Sequence, residues 1–366
     1  MVIILLPLLK SISNIDFLLW RNRMRTIQLS LFYFYMSILL SIAAVIFWLV
    51  LLTFGGNVLV DGAVSIAKKF WISQAIIGLT IVAVGTSMPE LIVSVLASTS
   101  WNTEIAIGNV LGSNIANVAL ILWISACIYP IVLTRTTRFF DLPIVILTSL
   151  MFLVIVSDRF LDGDLNNSIS RIDGIILLTV AIVYIVYSVR HNNFIPDESE
   201  TVEKISSSRR AVLWIIGGVL VLFIGWKILV TGAVDIAKFF WLSEAIIGLT
   251  VVAIGTSMPE LATSIIAARR WNPDIAVWNV VGSNIMNILV ILWISAIITP
   301  LPFLQSSYID LMVVIVTPII LLFLSFVWTR NSIGRKEGIL LLLVYVIYMG
   351  LNQLTVIRYP IKWLYG

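Results

Sequence analysis

Charge is scarce in this chain: Asp, Glu, Lys and Arg together make up 11% of its 366 residues, against 60% hydrophobic residues. No soluble protein of this length could bury so much apolar surface, and a mean hydropathy of +1.08 makes the bilayer its solvent. Cysteine is reduced to Cys127 and histidine to His191. A single cysteine excludes an internal disulfide and any cysteine-based metal site, and one histidine in a polar stretch leaves a transition metal almost no ligands. The net charge of +4 is small and its basic residues are scattered among loops, which argues against nucleic acid as a partner. Strict apolar/polar alternation is missing too. Backbone groups in lipid must be satisfied within each span, so the spans are helices rather than barrel strands.

Against these absences stand apolar runs of membrane-spanning length along almost the whole chain. Ten spans are expected, at roughly 34–54, 71–98, 105–129, 140–157, 172–189, 211–230, 241–267, 275–299, 309–328 and 338–354. The first 33 residues are expected to form an interfacial or extra segment: Met1–Leu9 is too short to span, and Arg21, Arg23 and Arg25 follow. No charged stretch precedes the apolar run, as a secretory signal would require. Residues 191–210, with Asp197, Glu198, Glu200 and Glu203 beside Lys204, Arg209 and Arg210, read as a solvated central loop.

The strongest feature is an internal repeat. Shifted by 170 residues, Gly55–Pro130 lies over Gly225–Pro300 without a gap, with 48 of 76 positions identical. GLTIVAVGTSMPEL at 78–91 returns as GLTVVAIGTSMPEL at 248–261, and GNVLGSNIAN at 108–117 returns as WNVVGSNIMN at 278–287. Further on the shift becomes 164, where RIDGIILL at 171–178 faces RKEGILLL at 335–342. The chain is therefore read as two five-helix units, 34–190 and 211–366, joined by the loop 191–210. Five is odd, so each helix and its copy cross the membrane in opposite directions and the repeats are inverted. The distribution of cations agrees when the first span runs from outside to inside: Lys68, Lys69, Arg135, Arg138, Arg190, Arg269, Arg270, Arg330 and Arg335 then fall on the cytoplasmic side. The N-terminal arginines do not fit that orientation. Inverted repeats are the architecture of secondary transporters, which bind substrate near the midplane where the repeats meet.

Glu90 and Glu260 lie well inside the second and seventh spans. An ionisable group at that depth costs at least about 2.5 kcal/mol and is a functional candidate by default. The alternative, a neutral acid making one interhelical hydrogen bond, is hard to sustain twice at equivalent positions. Thr86 and Ser87 precede Glu90 by four and three residues, and Thr256 and Ser257 precede Glu260 in the same way, so their oxygens share a helix face. Pro89 and Pro259 free the carbonyls of Gly85 and Gly255, and backbone oxygens around 83–85 and 253–255 are expected to turn towards an ion. Ser113 with Asn117, and Ser283 with Asn287, add a second face from the third and eighth spans. Asn114 and Asn284 read as interhelical hydrogen-bonding residues, Gly112 and Gly282 as packing residues, and Asn109 and Asn279 stay open between ligand and packing roles. Two carboxylates with hydroxyl, amide and backbone oxygens are what hard cations want: Ca²⁺ takes 6 to 8 oxygens, while the same charge could serve Na⁺ or protons.

GTSMPEL followed by GSNIAN, and again GTSMPEL followed by GSNIMN, resembles the paired signatures of the calcium/cation antiporter superfamily, nearest to the prokaryotic sodium/calcium exchangers. The resemblance implies Na⁺/Ca²⁺ antiport by alternating access in the cell membrane, with no enzymatic activity and no cofactor beyond the transported ions. It also implies that a monomer suffices for transport, and leaves the oligomeric state open. By matching positions, the implied ligands are the Ala83 carbonyl, Thr86, Ser87, Glu90, Ser113 and Asn117, with the Ala253 carbonyl, Thr256, Ser257, Glu260, Ser283 and Asn287. It further implies that the first and sixth spans slide as a pair against the other eight. Two positions depart. Some relatives carry an aspartate where this chain has Asn287, an acid linked to K⁺ use in one branch. Trp278 replaces the glycine of the first half, Gly108, and either narrows the path to the site or packs at the helix start. Rival readings are Ca²⁺/H⁺ exchange, a cation channel, and an intramembrane carboxylate enzyme, for which no nucleophile or headgroup pocket is evident.

Overall fold

The computed structural model describes residues 54–66, 69–70, 78–101, 103–157, 167–191, 207–239, 253–269, 273–327 and 332–358, with single helical positions between Met36 and Leu51. The N-terminal segment 1–33, most of the central loop, residues 71–77 and 241–252, and the interfacial aromatics expected at Trp71, Trp241 and Trp271 lie outside them. The described residues are helical apart from short turns and four two-residue strands. Among the described residues six helices are long and apolar enough to cross a membrane.

In chain order, α1 covers Phe54–Ile66, and the second span is broken into a π turn at Gly78–Val82, α2 (Ala83–Thr86) and α3 (Met88–Thr99). Then follow α4 (Thr103–Ile128), α5 (Thr137–Ile155) and α6 (Arg171–His191). The second half repeats the order with α7 (Ser208–Phe239), α8 (Ala253–Thr256), α9 (Met258–Arg269), α10 (Pro273–Met286, continued through Asn287–Ile291 and Leu292–Ile298), α11 (Ser307–Val327) and α12 (Arg335–Arg358).

Some limits differ from those expected. The first span does not stop at residue 54, and the sixth runs to Phe239 rather than 230, because Thr231, Gly232 and Asp235 interrupt the apolar pattern without breaking the helix. The central loop is shorter than 191–210, since His191 ends α6 and Ser208–Arg210 open α7. Trp101 is exposed in the turn between α3 and α4, as an interfacial aromatic should be.

Contacts between equivalent helices show the inversion directly. At one end of the α5–α11 pair the Tyr308 hydroxyl donates to the Val156 carbonyl at 2.6 Å, while at the other end Phe139 packs edge-on to Phe326 with ring centroids 5.6 Å apart. The start of each helix thus meets the end of its copy. Other contacts come in the same swapped pairs. Gly174 seats against Trp293, and Gly338 against Trp123. Four two-residue strands obey the rule as well: β1 (Ile131–Val132) pairs with β4 (Ser332–Ile333), and β2 (Ser168–Ile169) with β3 (Leu301–Pro302), both antiparallel.

One large apolar core binds α4, α5, α6, α10, α11 and α12. A smaller one joins α1 and α7 through Leu59, Ala63, Ile66, Ala211, Ile215 and Leu222, and reaches the second span at Val82 and α9 at Ala262. The two helices approach closely because glycines line the crossing: a Cβ on Gly218 would stand 2.7 Å from the Leu59 nitrogen, and one on Gly62 would stand 2.8 Å from the Ala211 carbonyl. Close approach through small residues is how helices associate in lipid, where no hydrophobic force draws them together.

Candidate functional site: a buried oxygen cluster at the repeat interface

The site begins with a helix break. Ser87 leaves helical geometry at φ −81°, ψ 10°, and separates α2 from α3, whose first turn holds Pro89 and Glu90. Ser257 separates α8 from α9 in the same way, one residue before Met258 and Pro259. The break lets a serine and a glutamate three residues apart address a partner in the other half. The Ser87 hydroxyl donates to Glu260 Oε1 at 2.9 Å, and the Ser257 hydroxyl donates to Glu90 Oε1 at 3.3 Å. Each glutamate also takes a bond from its own half: Ser113 donates to Glu90 Oε1 and Ser283 to Glu260 Oε1, both at 3.3 Å. Both glutamates are fully buried.

Threonine and asparagine complete the seam. The Thr86 hydroxyl lies 3.1 Å from Asn279 Oδ1 and 3.3 Å from the Ala83 carbonyl, and Thr256 donates to Asn109 Oδ1 at 3.3 Å. Asn109 Nδ2 donates to the Glu90 carbonyl at 3.0 Å and to Ser94 at 2.9 Å; Asn279 repeats this on the Glu260 carbonyl and Ser264. Deeper in α4 and α10, Asn114 Nδ2 donates to the Asn284 carbonyl at 3.5 Å, and Asn284 Nδ2 returns the bond to the Asn114 carbonyl at 3.2 Å. Asn117 Nδ2 donates to Asn284 Oδ1, and Asn287 Nδ2 to Asn114 Oδ1, each at 3.0 Å.

The sequence-derived residues therefore gather at one interface: Thr86, Ser87, Glu90, Ser113 and Asn117 from the first half, with Thr256, Ser257, Glu260, Ser283 and Asn287 from the second, all buried. Ala83 opens α2, and its carbonyl accepts the Ser87 N–H at 3.0 Å and lies 3.3 Å from the Thr86 hydroxyl. Ala253 opens α8 at the equivalent position. What sequence reasoning missed is the backbone at Asn117 and Asn287, where α4 and α10 each widen into a π turn, Asn117–Ile121 and Asn287–Ile291. Such turns gather at functional sites because they re-aim a side chain out of helical register. No residue pattern marks them.

Trp278, open in the sequence between narrowing the path and packing, makes packing contacts. Its indole N–H donates to the Thr137 hydroxyl at 3.3 Å, and a Cβ on Gly78 would lie 2.8 Å from the Trp278 Cβ. The side chain is buried between the second and fourth spans.

Four oxygens in the cluster accept no hydrogen bond although buried: Glu90 Oε2, Glu260 Oε2, Asn117 Oδ1 and Asn287 Oδ1. Buried acceptors without donors are costly and rare, and each asks for a reason. These four are related by the repeat. A hard cation is the natural partner for such a set. The described residues hold no cluster of three or more His, Cys, Asp or Glu side chains, so the charge available to an ion is that of the glutamate pair.

A helical membrane protein of inverted repeats with a buried oxygen cluster between them is a secondary transporter by architecture. Comparison with known proteins identifies which kind. Residues 29–190 and 210–353 match the family described as sodium/calcium exchanger protein. A putative antiporter, CaxA of Alkalimonas amylolytica, is 35% identical over 312 residues, covering 83% of this chain and 95% of the relative. The sodium/calcium exchanger MaX1 of Methanosarcina acetivorans is 30% identical over 342 residues, covering 82% and 95%. A solved structure of the sodium-calcium exchanger NCX_Mj soaked with Na⁺ and Ca²⁺ matches with a TM-score of 0.73 at 32% identity, over 85% of this chain and 98% of that one. The chain belongs to the sodium/calcium exchanger family. It is a multi-pass membrane cation antiporter and not an enzyme.

Proposed function

We propose that this antiporter exchanges Na⁺ for Ca²⁺, offering one cluster between its halves to the two ions in turn. The observation that carries the proposal is the set of four undonated oxygens, Glu90 Oε2, Glu260 Oε2, Asn117 Oδ1 and Asn287 Oδ1, buried among hydroxyls. Two carboxylates balance one Ca²⁺. With the Thr86, Ser87, Ser113, Thr256, Ser257 and Ser283 hydroxyls and the Ala83 and Ala253 carbonyls, the cluster exceeds the 6 to 8 oxygens a Ca²⁺ ion takes, leaving enough for more than one Na⁺. The hydroxyls that donate to glutamate rotate to present a lone pair when an ion arrives. That the relatives MaX1 and NCX_Mj are sodium/calcium exchangers favours Na⁺ over H⁺ as the counter-ion.

The units 34–190 and 211–366 serve as the two halves, with the cation-rich loops facing the cytoplasm. Alternating access follows from movement of α1 with α7. Their glycine-lined crossing ties the two helices together, and the Val219 side chain of α7 lies where a Cβ on Gly85 would be, at 2.7 Å, so movement of α7 is felt at the helix break.

The test is ⁴⁵Ca²⁺ uptake into proteoliposomes loaded with Na⁺, under an outward Na⁺ gradient, no gradient, or a pH gradient alone. Uptake that requires the Na⁺ gradient is the expected result. Uptake driven only by the pH gradient would replace the proposal with Ca²⁺/H⁺ exchange, and flux that ignores the opposing gradient would indicate a channel.

A further inference from the structure

We infer that four asparagines outside the expected ligand set, Asn109, Asn114, Asn279 and Asn284, are positioning residues, each orienting a ligand of the opposite half. The inference rests on the ion site proposed above and adds how its ligands are aimed.

A backbone carbonyl can only accept. Asn114 and Asn284 each turn their side-chain NH₂ to the other's carbonyl, at 3.5 and 3.2 Å. That choice leaves each side-chain oxygen facing away, where only a donor is tolerated. The donors are Asn287 Nδ2 on Asn114 Oδ1 and Asn117 Nδ2 on Asn284 Oδ1, both at 3.0 Å. With its nitrogen committed in this way, each of Asn117 and Asn287 has its oxygen fixed on the other side, and these are two of the four undonated oxygens. The orientation of each ligand amide therefore passes by forced steps from a backbone carbonyl.

The same logic governs the threonines. Asn109 and Asn279 turn their NH₂ groups to the Glu90 and Glu260 carbonyls, so their oxygens face Thr256 and Thr86 and take a hydroxyl hydrogen. A threonine that donates to asparagine keeps its lone pairs for an ion. All four links cross between the halves.

The frame also bears on site charge. Position 287 presents an N–H to Asn114; a carboxylate there would set acceptor against acceptor. The arrangement suits a neutral amide at Asn287 and Asn117, so the charge stays at two.

The experiment is a double-mutant cycle on Ca²⁺ affinity, measured by calorimetry on purified protein. Asn114→Leu removes the acceptor that holds Asn287. We expect it to weaken Ca²⁺ binding about tenfold, the scale of one lost hydrogen bond. It should add nothing further in an Asn287→Ala background, yet add its full effect in an Asn117→Ala background. Effects that add equally in both backgrounds would overturn the inference, since general packing damage has no reason to distinguish the two partners. Should Asn114→Leu not yield folded protein, Asn114→Ser removes the same acceptor without added bulk, with the same expectation. A second readout is independent of the ion: the side-chain amide protons of Asn287 should exchange slowly in the wild type and faster in Asn114→Ser, with those of Asn117 unchanged. Unchanged Asn287 exchange would overturn the frame, whereas a wild-type protein that binds no Ca²⁺ but shows this exchange pattern would overturn only the functional reading.

Discussion

Ser87 donates to Glu260 across the repeat interface at 2.9 Å, and Ser257 returns the bond to Glu90 at 3.3 Å. Neither glutamate is satisfied by its own half alone. A site assembled this way couples the halves: whatever one half does to its helix break, the other half's carboxylate feels.

The first prediction concerns charge. Glu90→Gln and Glu260→Gln keep shape and lose the carboxylate. Removing one member of a buried charged arrangement costs about 3–5 kcal/mol, or at least about a hundredfold in affinity. Each variant is expected to fold, to elute as the wild type does, and to lose ⁴⁵Ca²⁺ exchange. Exchange at the wild-type rate in either would remove that glutamate from the site.

The serines give a finer test. Ser87→Ala and Ser257→Ala each delete a hydroxyl oxygen that the proposed ion takes as a ligand, a loss of about 1–2 kcal/mol, the scale of one polar contact. Apparent Ca²⁺ affinity should fall by roughly tenfold in each, and by similar factors in the two, because the halves are related by the repeat. A large loss in one with none in the other would mean that the halves are not functionally equivalent.

Packing at the helix break predicts a stability effect. A Cβ on Gly282 would stand 2.7 Å from the Leu79 carbonyl and 2.8 Å from the Ala83 Cβ, while one on Gly108 meets nothing within 4 Å. Gly282→Ala should destabilise by about 1–3 kcal/mol, as overpacking does. Gly108→Ala should leave the thermal midpoint unchanged. Thermal unfolding of the two variants in detergent checks the contrast.

Trp278 is predicted to matter for stability rather than for rate. Trp278→Gly restores the residue of the first half and empties a buried pocket, at a cost of about 3–5 kcal/mol. If the indole narrowed the ion path, the same change would speed exchange. The expected outcome is a lower melting temperature with no faster ⁴⁵Ca²⁺ flux.

Much of this was legible in the sequence. The repeat is carried by identical residues, and the inversion followed from the odd number of spans; the contacts Tyr308–Val156 and Phe139–Phe326 bear it out. Glu90 and Glu260 stood out because charge at bilayer depth is expensive, and the serines and threonines followed from helical spacing. What could not be read is instructive. The π turns at Asn117 and Asn287 depend on tertiary packing and leave no periodic mark. The sixth span was ended at 230 because Thr231, Gly232 and Asp235 follow, whereas helical hydrogen bonding does not depend on hydropathy. The cross-half partners of Asn114 and Asn284 were invisible, since a sequence gives no direction for an amide. Trp278 could not be assigned until its neighbours Gly78 and Thr137 were known.

The most direct test of the central claim, that Glu90 and Glu260 together make one ion site used by both cations, is a Ca²⁺ titration of purified protein at increasing Na⁺. The wild type is predicted to bind one Ca²⁺ per chain, with Na⁺ displacing it competitively, and both Glu90→Gln and Glu260→Gln are predicted to bind none. Ca²⁺ binding that survives in either variant, or that Na⁺ fails to displace, would contradict the account.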